Sequence, residues 1–227
     1  MNKNSKKIEV AVFGATGLIG SILVKYLKQF SKFKKINLVL RSPIDLKYEN
    51  VKIHKINLYK KSEILNSLNT SKVVFIAIGT TMSKVKGDKE KYRRIDFGIT
   101  KDIADACKEF GIDKLILVSS SGANLKSKSF YLNIKGSIEK YVTDLNLKSV
   151  SILRPSLLLG KRNEKRFGEK LAQIIMPKIS FFMPSKYKAI KAEKVARAML
   201  QLSNTDSEGV KIFHYKDIID LSNKFKI

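Results

Sequence analysis

Tyr131 and Lys135 stand four residues apart in a helical pattern, a spacing that puts both side chains on one face. A phenol ionises near pH 10 in water and makes a poor acid–base partner at neutrality, whereas a neighbouring ammonium favours its anion. The same lysine can hold ribose hydroxyls. Shortly before this pair, the apolar run Leu115–Val118 closes on Ser119-Ser120-Ser121-Gly122, whose hydroxyls can bond a carbonyl oxygen as it gains charge. These residues suit hydride transfer at a carbonyl or alcohol carbon, with Tyr131 moving the proton. Tyr-x-x-x-Lys recurs at Tyr48–Lys52 and Tyr187–Lys191, so the bare spacing selects nothing in a lysine-rich chain. Position selects Tyr131, which opens the helix following the serine-bearing strand.

Such chemistry needs a hydride carrier, and the N-terminal region supplies a place for one. The β-branched run Val10–Phe13 ends in Gly14-x-x-Gly17-x-x-Gly20, and an amphipathic helix follows through Leu18, Ile22, Leu23, Tyr26 and Leu27. A strand, a glycine turn and a helix N-terminus bring free N–H groups and a positive dipole end against a pyrophosphate. Gly14, Thr16, Gly17, Leu18, Ile19 and Gly20 are therefore expected at a dinucleotide. After the second strand stands Arg41, where an acid would have met ribose hydroxyls; a guanidinium there pairs with a 2′-phosphate, which favours NADP(H) over NAD(H). Asp45, close by, argues the other way. Asn57 and Leu58 after the third strand are placed at the adenine edge, and Gly79 and Thr80 after the fourth at the nicotinamide half.

Alternating apolar runs and helical patterns must carry these residues. Strands read at Ile8–Phe13, Ile36–Leu40, Val51–Ile56, Val73–Ile78, Leu115–Val118, Val150–Leu153 and near Val210–His214. Helices read at about 18–29, 61–69, 89–110, 130–145, 168–175 and 191–202. Repeated β–α units with both-face apolar strands predict an α/β fold with one doubly wound parallel sheet, Rossmann-like, over a single domain of 1–227. The stretch 160–191 breaks the pattern with Lys161, Arg162, Lys165, Arg166 and two apolar runs ending in proline, and is expected to form a small C-terminal substrate-side flap.

Composition narrows the setting. Hydrophobic residues are 44 % of 227, enough for a sizeable core. No apolar run is long enough to span a membrane, and no signal-peptide core follows the basic start. The one cysteine, Cys107, excludes an internal disulfide and falls on the apolar helix face with Ile99, Ile103, Ala106 and Phe110, as a buried structural thiol. A cytoplasmic protein is expected. The net charge of +25 draws anions, yet the lysines are spread along the whole chain without a block or stripe. This pattern favours a small-molecule ligand over nucleic acid, and no metal is expected.

The glycine turn, the strand-end serines and Tyr131-x-x-x-Lys135 together resemble the short-chain dehydrogenase/reductase superfamily. The likeness is to its atypical branch of small NAD(P)H-binding, TIP30-like oxidoreductases, and covers about residues 7–202. Ala77-Ile78-Gly79-Thr80-Thr81, Phe130–Gly136 and Leu153–Gly160 resemble that branch further. The resemblance implies NADP(H), Tyr131 as proton donor or acceptor, Lys135 on the ribose, and Arg154, Pro155 and Ser156 bordering the nicotinamide. Of the three serines, Ser120 or Ser121 is expected to reach the substrate. A homodimer through the Tyr131 helix is also implied. Several proteins of the branch look like redox-sensing or regulatory binders, so a non-catalytic NADP(H)-binding role stands beside the enzymatic one.

Overall fold

The computed structural model describes residues 8–46, 48–68, 70–160 and 188–225. Its strands are β1 (Ile8–Phe13), β2 (Phe33–Leu40), β3 (Val51–Lys55), β4 (Val73–Ile76), β5 (Lys114–Val118), β6 (Ser149–Leu153), β7 (Leu158–Leu159), β8 (Ile190–Lys191) and β9 (Gly209–Phe213). The helices are α1 (Leu18–Leu27), α2 (Lys61–Leu68), α3 (Lys89–Arg93), α4 (Ile99–Glu109), α5 (Phe130–Asp144), α6 (Ala192–Asn204) and α7 (Tyr215–Lys224). Seven strands form one parallel sheet in the order β3-β2-β1-β4-β5-β6-β9, and β7 pairs with β8 apart from it.

Helices cover both faces of the sheet, which is why β4 reads Val73-Val74-Phe75-Ile76 and buries every residue. Leu23 and Leu27 of α1, Met199 of α6 and Ile218 of α7 join Phe75 on one face. Ile64 of α2, Ile103 of α4 and Ile138 of α5 join Phe13 and Ile76 on the other. Full burial of each such side chain stabilises the fold by about 1.5–3 kcal/mol. The strand order reverses between β1 and β4, so a crevice opens beyond their C-terminal ends, where open α/β sheets take ligands. This is the doubly wound, Rossmann-like sheet expected from the alternating runs.

Among the differences from the sequence reading, three have a clear local reason. The fourth strand stops at Ile76; Ala77 donates to the Phe13 carbonyl at 2.9 Å, and the chain then leaves the sheet to line the crevice. The helix expected over 89–110 is interrupted by a π-turn at Arg94–Gly98, where the Ile99 N–H reaches back to the Arg94 carbonyl. Helix α7 was not anticipated; the reciprocal cap between His214 and Asp217 starts it, and Ile218 anchors it. Cys107 is fully buried, and burial pushes its thiol up, as a structural thiol requires, but Phe110 of the same expected face is exposed. The helix expected at 168–175, and residues 161–187 of the expected flap, lie outside the described residues. The ends of that stretch meet at the β7–β8 pair and where the Ser156 hydroxyl donates to the Lys188 carbonyl. Among the described residues, no helix is long and apolar enough to cross a membrane.

Candidate functional site

The turn after β1 leaves no space for side chains. Gly14 has φ +84°, and a Cβ on it would stand 2.5 Å from the Ala77 carbonyl oxygen. A Cβ on Gly20 would come within 2.1 Å of the Gly14 carbonyl oxygen. Both positions therefore need glycine, and α1 is held directly against the crevice. Gly17 is the N-cap of α1 and has no side chain to cap it. The unpaired N–H groups of the first turn are thus left for an anion.

Beyond these strand ends lies a cavity of about 360 Å³. Thr16, Gly17, Leu18 and Ile19 line one wall, Gly79 and Thr80 another, and Tyr131 and Lys135 a third. Tyr131 is 40 % exposed at the start of α5, whereas Lys135 one turn later is buried, with its ammonium 5.9 Å from the Tyr131 ring centroid. What holds the ammonium is Asp96, 1 % exposed, whose Oδ2 is 2.9 Å from Lys135 Nζ. The Asp96 Oδ1 accepts from the Thr80 N–H at 2.8 Å. Oδ2 has the ammonium as its ion-pair partner and no hydrogen bond among the described residues. Burial and the Asp96 carboxylate together push the neighbouring Tyr92 phenol up.

Asp96 escaped the sequence reading, and it sits in the π-turn that also did. Such turns widen a helix by one residue and recur at functional sites. A signal was present: the stripe Tyr92, Asp96, Ile99 and Ile103 has helical spacing, and one of its four members is a carboxylate. An acid on a buried stripe requires a partner.

Ser119 also lines the cavity, but its hydroxyl is committed. It donates to Glu139 Oε1 at 2.5 Å, and Arg154 donates through Nε to Oε1 at 3.0 Å and through Nη2 to Oε2 at 2.5 Å. Ser119 and Glu139 are buried, so this charge is answered within the protein. Ser120 donates its hydroxyl to the Ser121 carbonyl at 3.3 Å, and the Ser121 N–H donates to the Pro155 carbonyl at 2.8 Å. Pro155 and Ser156 thereby brace the serine loop and residue 188, and Leu158 is the residue of this segment that lines the cavity.

A second cavity of about 450 Å³ opens past β2 and β3, lined by Arg41, Lys55, Ile56, Asn57, Leu58, Tyr59 and Glu63. Arg41 and Asp45 are exposed, while Leu58 is buried. Asn57 turns the chain into α2: its Oδ1 accepts from the Tyr59 N–H at 3.0 Å, and its own N–H donates to Glu63 Oε2 at 2.7 Å. That backbone hydrogen bond is the main reason the Glu63 carboxyl is held below its usual range. The sheet order puts this outer cavity on one side of the glycine turn and the inner one on the other.

Similarity to known proteins agrees with this layout. A family model described as NAD(P)H-binding matches residues 14–206. The FMP52 protein of Debaryomyces hansenii, named as mitochondrial, is 33 % identical over 199 residues, spanning 85 % of this chain and 86 % of the relative. The HTATIP2 protein of Rattus norvegicus is 31 % identical over 216 residues, 93 % of this chain and 88 % of the relative. The solved UDP-glucose 4-epimerase of Thermus thermophilus, in complex with NAD, shares the fold with a TM-score of 0.69 at 17 % identity, covering 95 % of this chain and 83 % of that one. The mitochondrial name of the yeast relatives overturns the cytoplasmic expectation. That expectation rested on a lone cysteine and the lack of an apolar span, which do not distinguish one reducing compartment from another. The glycine turn, the two cavities and these relatives lead to one assignment: the chain belongs to the NAD(P)H-binding family, in the atypical branch of the short-chain dehydrogenase/reductase superfamily.

Proposed function

We propose that the chain is an NADP(H)-dependent oxidoreductase acting on the carbonyl or alcohol carbon of a small molecule. The observation that carries this reading is the convergence of Tyr131 and Lys135 on the cavity that the uncapped N-terminus of α1 enters. The residues present fit a dinucleotide: the cradle at Gly14 and Gly20 is one a Cβ would fill, and a cavity lies at each end of it. The bound nucleotide would supply or accept the hydride. In the reducing direction the Tyr131 hydroxyl gives its proton to the substrate oxygen, and in the oxidising direction it takes one. Lys135 donates to ribose hydroxyls, and Asp96 keeps its ammonium in place. The Ser119 hydroxyl is committed to the buried Glu139, and Ser120 or Ser121 is expected to give the hydrogen bond to the substrate oxygen. Arg41 meets the 2′-phosphate.

One observation favours a second reading, a non-catalytic NADP(H)-binding regulator. The protein itself answers the Lys135 charge through Asp96, and a protein that only reports cofactor state needs the cavity but no proton transfer. Replacing Tyr131 by Phe separates the two. For an enzyme, NADPH-dependent turnover across a panel of aldehydes and ketones falls by about 10²–10⁴ while NADPH still binds. Turnover unchanged by Tyr131→Phe overturns the role given to the phenol. Tight NADPH binding by the native chain with no turnover across the panel supports the regulator. Thermal unfolding monitors the binding, since ligand at about a hundred times Kd adds roughly 2.7 kcal/mol.

A further inference from the structure

We infer that Lys55 is a second determinant of cofactor choice, binding the 2′-phosphate beside Arg41; the inference rests on the NADP(H) reading above. Strands β2 and β3 run parallel with Leu40 opposite Lys55. Arg41 follows Leu40 directly, so the two cations leave neighbouring strand ends together and line the same outer cavity. No hydrogen bond or ion pair among the described residues engages either one.

Other charges around this cavity are already answered. Glu63 accepts from the Asn57 N–H and lies 3.4 Å from Lys60 Nζ, and Arg94, over the Tyr59 ring, pairs with Asp102 at 2.9 Å. Arg41 and Lys55 are left as two like charges whose repulsion a shared anion relieves. Their donor geometries are complementary: a guanidinium offers a planar fork to two phosphate oxygens, and an ammonium is a point charge that turns to meet the third. A 2′-phosphate carries the charge to neutralise both, whereas the 2′-hydroxyl of NAD(H) carries none. Lys55 therefore adds affinity for the phosphorylated cofactor alone.

The test measures Kd for NADPH and for NADH by calorimetry on the full chain and on Lys55→Met, with Lys52→Met, an exposed lysine earlier on β3, controlling for overall charge. Lys55→Met is expected to weaken NADPH about tenfold and leave NADH unchanged, with Lys55→Arg restoring the preference. Lys52→Met is expected to leave the ratio of the two Kd values unchanged. If the native chain prefers NADPH and Lys55→Met keeps that preference, the inference falls and the NADP(H) reading stands. Equal loss for both cofactors, or an equal effect of Lys52→Met on the ratio, also overturns it. Equal binding of NADPH and NADH by the native chain removes the reading and the inference together.

Discussion

The two cavities handle charge in opposite ways. At the inner one, Lys135 and Asp96 of its lining and Glu139 behind Ser119 are buried, and each has a partner within 3.0 Å. In the outer one, Arg41 and Lys55 stand in solvent, and the wall is organised by backbone turns around Asn57. Desolvating charges is costly and tolerable only where their geometry is fixed by further contacts. On the function proposed above, that cost falls at the end where a proton would be aimed, and preorganised groups there would need no rearrangement. The outer region, on the same proposal, would only have to recognise an anion, which solvated side chains do with sensitivity to salt. Substitutions of the buried inner charges should therefore damage folding, and those of the outer cations selectivity.

The sharpest way to break that contrast is Asp96→Ala. It strands a buried ammonium and the Thr80 N–H, and is expected to lower unfolding stability by about 3–5 kcal/mol in urea titrations. Asp96→Asn, which keeps an acceptor for Thr80, should cost less. A loss under about 1 kcal/mol for the alanine variant would mean that the inner charges relax freely, and the two regions would no longer differ in kind. At the outer cavity, Arg41→Ala should weaken NADPH about tenfold in calorimetry while stability stays within roughly 0.5 kcal/mol of the native chain. A large loss of stability there would erase the contrast from the other side.

The smallest effect is a pH dependence on β3, next to the outer region. His54 Nε2 donates to Asn37 Oδ1 at 3.0 Å, and burial first, then Lys52 and Lys35, hold its pKa below the usual value. As pH falls below about 6.5, the unfolded chain takes up this proton before the folded one does. Stability contributed by the neutral ring is thus present above that pH and declines until the folded pKa is passed. NMR titration should place the His54 midpoint below that of an unfolded-peptide histidine, and His54→Gln should flatten this part of the stability profile. A midpoint at or above the peptide value would contradict the assignment.

How much of this was legible before the structure depended on whether a feature is local. The glycine turn was readable because the spacing of Gly14, Gly17 and Gly20 states its own geometry, and the doubly wound sheet followed from strands apolar on both faces. Tyr131 and Lys135 could be paired because one helix carries both. Asp96 could not be joined to Lys135 in the same way: 39 positions separate them along the chain, and a π-turn changes the helical phase between them and the strand before. The preference for Ser120 or Ser121 over Ser119 could be read from the chain, but not its cause: the Ser119 hydroxyl donates to the buried Glu139 of α5, which Arg154 also engages. Lys55 was one lysine among many until strand register set it beside Arg41.

The π-turn at Arg94–Gly98 has a consequence for which kinds of mutation this region tolerates. Most surface turns accept a residue more or less, and most helices accept a change of side chain. Here the count itself is the constraint. Removing one residue between Arg94 and Gly98 would let an ordinary α-helix form with better backbone hydrogen bonds, yet would swing α3 and Tyr92 by about 100° relative to α4. Both helices would persist, and the carboxylate would still be encoded. Its place against Lys135 would be gone, so in this segment a change of length can do the same damage as losing the carboxylate itself.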